Sequence, residues 1–99
     1  MFNVEASSAV NNILMFYADK FYNNSGEDCV LNLLDSYDEA IDSLTYNVNC
    51  GCKLEDIPGK YRAITFWSHL WLIYLVEENK VYVDLIIDDR QSYGKLFKY

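Results

Sequence analysis

Residues Leu70-Trp71-Leu72-Ile73-Tyr74-Leu75-Val76 form an almost unbroken apolar run of strand-forming types. A half-buried strand alternates apolar and polar residues, whereas an unbroken run calls for cover on both faces. Whatever this chain folds into must therefore supply material for both sides of one strand. It must do so within 99 residues. That is the length of a single domain spanning 1–99. A chain of this size buries roughly two-thirds of the surface it exposes when unfolded.

The neighbours of the run extend the pattern. Tyr61 to Phe66 reads as a strand before it. Glu77-Glu78-Asn79-Lys80 is a polar break of hairpin length. Val81 to Ile87 reads as a strand after it, with Asp84 as its one charge. The tail from Arg90 to Phe97 is polar and ends in an apolar pair.

The first half carries a different period. Phe2 to Ala6 alternates as a short strand does, and Ser7 or Ser8 can cap a following helix by accepting from a free amide of its first turn. Val10, Ile13, Leu14, Tyr17 and Phe21 then recur at helical spacing. Asn23-Asn24-Ser25-Gly26 reads as a turn, and Ser25 with Asp28 has capping-box spacing. Val30, Leu33, Leu34, Tyr37, Ile41 and Leu44 line a second helix, with Asp28, Asp35, Glu39 and Asp42 on another face. Two helices joined by so short a turn form an antiparallel hairpin, and their apolar faces require a partner. Residues 45–59 read as a long loop, which either holds a further short turn or moves. The element order is β-α-α-β-β-β. It describes an α+β fold: an antiparallel curled sheet with the helical hairpin packed on one face and the third and fourth strands central.

Charge narrows the function classes. The net charge is −7, and polynucleotide binders usually carry a basic footprint. Residues 1–50 hold eight acids and one base, Lys20, whereas residues 51–99 hold seven of each. An anionic partner could be met only by the second half. No apolar stretch approaches the roughly 20 residues of a spanning helix, and the first residues lack a signal peptide. A cytoplasmic, membrane-independent protein is expected. Its three cysteines are an odd number, which suits a reducing compartment. Cys50-Gly51-Cys52 has neither the four donors of a structural zinc site nor the redox CxxC spacing. Free thiols are expected there, with no metal and no cofactor.

Several segments taken together carry a family resemblance. They are Pro58-Gly-Lys-Tyr-Arg-Ala-Ile64, His69-Leu-Trp-Leu-Ile-Tyr74, Asn79-Lys-Val-Tyr-Val83, and Ile87-Asp-Asp-Arg-Gln-Ser-Tyr93 before Leu96-Phe97. A Tyr-Arg pair on the second strand, an apolar strand reaching Ile-Tyr, a charged hairpin and an Arg-x-x-Tyr after the last strand resemble the RelE/ParE toxin superfamily. The resemblance covers about 40 residues by sequence and about 90 by element order. It implies a toxin of a type II toxin–antitoxin pair, neutralised by a cognate antitoxin. One branch of that family cleaves messenger RNA on the ribosome, and another poisons DNA gyrase.

Carried over by position, Arg90, Tyr93 and Arg62 match family residues, while His69 opens the central strand where members differ. If RNA is cleaved, Arg90 would meet phosphate charge, Tyr93 would stack on a base and Arg62 would position the substrate. His69, the one histidine, would act as acid or base. Such chemistry needs no metal. Other roles stand beside these. Arg90 can pair with Asp88, Asp89 or a helix acid, Tyr93 can plug the C-terminus, and Arg62 can form a strand-face ion pair. Arg62 is expected to face solvent beside Arg90. Trp71 is expected in the core and Trp67 at an exposed turn.

The sequence also departs from the nuclease branch. Trp71 stands where several members have Arg. No dense Lys cluster stands just before the second strand, where only Lys53 and Lys60 occur, and Asp88 and Asp89 sit beside Arg90. These departures favour binding and inhibition of a target over RNA hydrolysis. Ribosome-dependent cleavage and a non-toxic binding module stand as alternatives, and a homodimer is left open.

Overall fold

The computed structural model describes residues 2–55 and 57–90. The elements follow the expected order: β1 (Asn3–Ala6), α1 (Ser8–Ser25), α2 (Glu27–Tyr46), β2 (Arg62–Trp67), β3 (Leu70–Glu77) and β4 (Lys80–Asp88). The sheet order is β1-β4-β3-β2, so β3 and β4 are central as expected. The strands β2, β3 and β4 form an antiparallel meander. β1 joins β4 in parallel, Asn3 opposite Lys80 and Ala6 opposite Val83. The sheet is therefore mixed rather than antiparallel throughout. Strand direction follows from the path of the chain: β1 runs out along β4 and feeds directly into the helices.

Helix α1 begins where the sequence indicates. Ser7 is its N-cap and accepts from the Val10 amide at 3.2 Å. The helix continues through Asn23 and Ser25, so the turn shrinks to Gly26 alone. That residue sits at φ 85°, a conformation glycine adopts without strain, and its N–H closes α1 on the Tyr22 carbonyl. The expected Ser25–Asp28 capping box does not form, because Ser25 is still helical and α2 has no side-chain cap. Glu27 and Asp28 instead lie in the first turn of α2, where carboxylates favour the helix dipole.

Both faces of β3 are covered. On one side Leu70, Leu72 and Tyr74 pack with Val81, Val83 and Ile86 against Val10, Leu14, Tyr17, Leu33, Ala40 and Leu44 of the helices. On the other, Ile73 joins Ala63 and Ile87 beneath Leu54, Ile57 and Tyr61. The stretch expected to be a long loop thus supplies the second cover.

That stretch is also tied to the sheet. The buried Tyr74 hydroxyl donates to the Val48 carbonyl at 2.7 Å and accepts from the Gly51 amide at 3.1 Å. Cys52 and Ala63 exchange two backbone hydrogen bonds of 2.8 and 2.7 Å. A Cβ at residue 51 would collide with the Tyr74 hydroxyl and lie 2.8 Å from the Ala63 carbonyl. Only glycine fits.

Two bulges aim the side chains. In β4, Ile73 faces Leu85 and Tyr74 faces Val83, so Asp84 is an extra residue. Val81 and Val83 face the helices before it and Ile86 does after it, so the inward parity changes from odd to even. The Asp84 carbonyl accepts from Ser7 Oγ at 3.0 Å, and the Ser7 amide donates to the Val83 carbonyl at 2.9 Å. In β2, Thr65 faces Trp71 and Trp67 faces Leu70, leaving Phe66 extra. Phe66 meets Tyr37 edge-on at 5.9 Å, and Trp67 meets Phe21 at 4.7 Å. Trp67 is therefore half-buried against α1 rather than exposed at a turn.

Replacing Tyr74 by Phe strands two backbone groups. It should lower unfolding free energy by about 1–3 kcal/mol in urea denaturation. Gly51→Ala should destabilise to a similar degree. The double variant should lose less than the sum, because part of the collision made by the added methyl is with the hydroxyl that Tyr74→Phe removes. Additive losses would show that the two residues do not meet. Ser7→Ala removes both the helix cap and the bond to the bulge, and should cost about 1–2 kcal/mol in the same assay.

Candidate functional site

Two of the four candidate residues, Arg90 and His69, lie at the end of the sheet where β4 leaves and β2 turns into β3. Leu70 opens β3 opposite Asp88, the last residue of β4. The Asp89 amide donates to the His69 carbonyl at 2.9 Å, which carries the pairing one step past the strand. Because the Asp84 bulge has shifted the parity, Asp88 turns toward the helices and Asp89 toward the Trp71 face.

Asp88 is the one buried charged residue among those described, 5% exposed. It is held by Arg90. The Arg90 Nε donates to Oδ1 at 3.1 Å and Nη2 to Oδ2 at 2.8 Å, while the Arg90 amide adds a bond of 3.0 Å to Oδ1. This bidentate geometry suits a planar guanidinium on a carboxylate. The Arg90 hydrogen bonds hold the Asp88 carboxyl below its ordinary range, against the opposing effect of burial. Arg90 is raised further by the same pair. Its side chain stays 61% exposed.

Tyr17 of α1 completes the inner side. Burial pushes its hydroxyl up, the Asp88 charge adds to this, and Arg90 opposes it. Its ring stacks on Phe21 at 6.0 Å, and Phe21 in turn meets Trp67. An aromatic column thus backs the ion pair.

On the outer side Asp89 receives two groups. Trp71 Nε1 donates to Oδ2 at 2.9 Å, and His69 Nδ1 lies 2.8 Å from Oδ1. The Trp71 bond is the main cause that lowers the Asp89 carboxyl, with His69 adding to it. Trp71 is half-buried in the smaller cluster, not in the main core. Its indole serves as the donor that fixes Asp89.

Arg62 is not part of this group. It pairs with Tyr74, four residues along β3 from Leu70, or roughly 13 Å at strand rise. Its Nη1 approaches the Gly51 carbonyl at 3.4 Å. The expectation of Arg62 beside Arg90 is corrected by the register. Adjacent labels on a sequence do not tell which end of a strand a side chain occupies. Tyr93 lies outside the described residues. Cys50 and Cys52 are free and exposed, and no group of three or more potential metal ligands occurs among the described residues. No described helix is long and apolar enough to cross a membrane.

Sequence reasoning singled out Arg90 and His69 and offered Asp88, Asp89 or a helix acid as the partner of Arg90, but it missed Tyr17 and the Trp71 indole. Tyr17 counted only as one residue of an apolar stripe. Asp88 and Asp89 looked like equivalent surface acids. A signal for Asp88 was present in its position, two residues before Arg90, the spacing at which an Asp side chain turns back on the chain's own amide.

No protein-family profile matches the sequence, and no curated protein matches it. Solved structures do. A chain of the chromosomal ParDE TA system from P. aeruginosa superposes with a TM-score of 0.75 at 15% identity, over 89% of this chain and 96% of that one. The solution structure of a conserved hypothetical protein from Helicobacter pylori superposes with a TM-score of 0.53 at 18% identity, over 92% of this chain and 98% of that one. At these identities the likeness is one of fold. The chain shares its fold with that chain of the ParDE TA system.

The Asp88 pairing has a pH signature. A carboxyl held low in the folded state stabilises the fold above its unfolded value, and this stability is lost as pH falls below about 4. Thermal unfolding from about pH 6 to about pH 2 should therefore show a flatter acid limb for Asp88→Asn than for the parent. Arg90→Ala, which removes the main cause of the shift, should flatten it as well. Parallel curves for all three proteins would refute the pairing.

Proposed function

We propose that this chain is the toxin component of a type II toxin–antitoxin module. It acts by binding and inhibiting a cellular target and is neutralised by a cognate antitoxin. The fold shared with a chain of the chromosomal ParDE TA system supports the class. The Asp88–Arg90 pair carries the choice of binding over hydrolysis. Cutting RNA at a 2′-hydroxyl requires a base, an acid and cations that stabilise the charged phosphorane. Here the cation at the strand exit is neutralised by a buried carboxylate, Asp89 stands next to it, and Arg62 lies four residues away along β3. A phosphate approaching Arg90 meets two acids for one arginine.

The same geometry suits a protein target. Arg90 presents a largely exposed side chain at the strand exit, on the side of the Tyr17 ring. A partly exposed arginine with an aromatic neighbour is a common anchor of protein interfaces. Asp88 fixes the guanidinium in advance, so little side-chain freedom is lost on binding.

Induced expression tests this reading. The parent should arrest growth, co-expression of the neighbouring reading frame should relieve the arrest, and translated messages should show no new ends. Arg90→Ala should lose the arrest while keeping a cooperative thermal transition. Harmless expression of the parent would remove the toxin reading, and new message ends would replace inhibition by cleavage.

A further inference from the structure

The two helices carry an exposed surface that neither the core nor the strand-exit cluster uses. The exposed large hydrophobics Met15, Phe16, Tyr22, Leu31 and Tyr46 all lie on α1 and α2. Phe16 is 63% exposed and Tyr22 59%. The same helices carry seven exposed carboxylates, Asp19, Glu27, Asp28, Asp35, Asp38, Glu39 and Asp42, against one base, Lys20. Among the described residues no ion pair engages any of these acids. Helical spacing sets Leu31, Asp35, Asp38 and Asp42 along one stripe of α2, opposite the buried Leu33, Ala40 and Leu44.

Charge selects the occupant. An acidic face repels nucleic acid and the anionic leaflet of a membrane. A second copy would set seven carboxylates against seven. A segment with apolar anchors flanked by Lys and Arg satisfies both features, because its anchors cover the exposed rings while its cations meet unpaired acids. We propose that the outer face of the α1–α2 hairpin binds an amphipathic basic segment of a partner protein. It rests on the toxin reading only in identifying that partner as the neutralising antitoxin. The outer helix face does not include Arg90 at the strand exit, so neutralisation would combine this contact with a second one there.

The test uses the whole chain and synthetic peptides of about 20 residues. One peptide places Leu on one helical face and Lys on the other. A second replaces Lys by Glu. A third scrambles the Lys peptide at constant composition. Fluorescence anisotropy should show the ordered Lys peptide binding at least about tenfold more tightly than either control, and weakening on the order of tenfold between about 50 and about 300 mM salt. Phe16→Ala with Leu31→Ala should cut that affinity about tenfold, as should Asp35→Asn with Asp38→Asn, each with an unchanged circular dichroism spectrum. Equal binding of ordered and scrambled peptides would reduce the face to an unspecific acidic surface and overturn the proposal. So would parent-like binding by the apolar double variant, or a parent dimer that Phe16→Ala with Leu31→Ala dissociates. None of these outcomes depends on growth arrest, so the surface and the toxin reading fail separately.

Discussion

One extra residue in β4 decides where the chemistry of this protein lies. The Asp84 bulge reverses the inward parity of the strand, so Ile86 and not Leu85 enters the helical core. It also divides two consecutive acids between opposite faces. Asp88 turns inward to Tyr17 and Arg90, and Asp89 turns outward to His69 and Trp71. Without the bulge those partners would exchange faces, and the ion pair would lose its buried acceptor. The bulge is held from outside the strand: Ser7 bonds the Asp84 carbonyl while capping α1, so helix start and strand irregularity share one hydroxyl.

This arrangement separates the surface into two electrostatic regions. The strand exit presents a preset guanidinium whose charge is largely satisfied by its own neighbour. The helices present unpaired acids and exposed rings. The first region is poor at stabilising a developing phosphorane and well suited to holding a fixed contact. The second repels polyanions outright. Among the described residues neither resembles the dense cationic groove that polynucleotide cleavage calls for.

Much of the fold was legible because it is written in local periodicity. The Leu70–Val76 run announced a strand covered twice, and the Val10 and Val30 stripes announced two helices on one face. The features missed all depend on residues distant in sequence. Nothing near Asn3 says that it will run parallel to Lys80. The bulges at Phe66 and Asp84 follow from fitting side chains to a particular core. The Tyr74 hydroxyl, which ties down residues 48–51, reads in sequence as one more apolar strand residue. At the site, Arg90 was singled out by its position past the strand end and His69 as the one histidine. Arg62 was misplaced because alternation gives the face of a strand and not the position along its neighbours. Trp71 was assigned by hydrophobicity, and its indole N–H, which fixes Asp89, was overlooked.

The pairing of β1 with β4 also orders events in time. The first strand synthesised has no sheet to join until the last one has been made, and contacts so distant in sequence form late. The helical hairpin, by contrast, closes through nearby residues and can assemble while the second half is still being translated. Its acidic outer face is therefore synthesised before the strand exit is, although its apolar faces wait for the sheet. A partner that recognises that face would find it in the half of the chain that is made first.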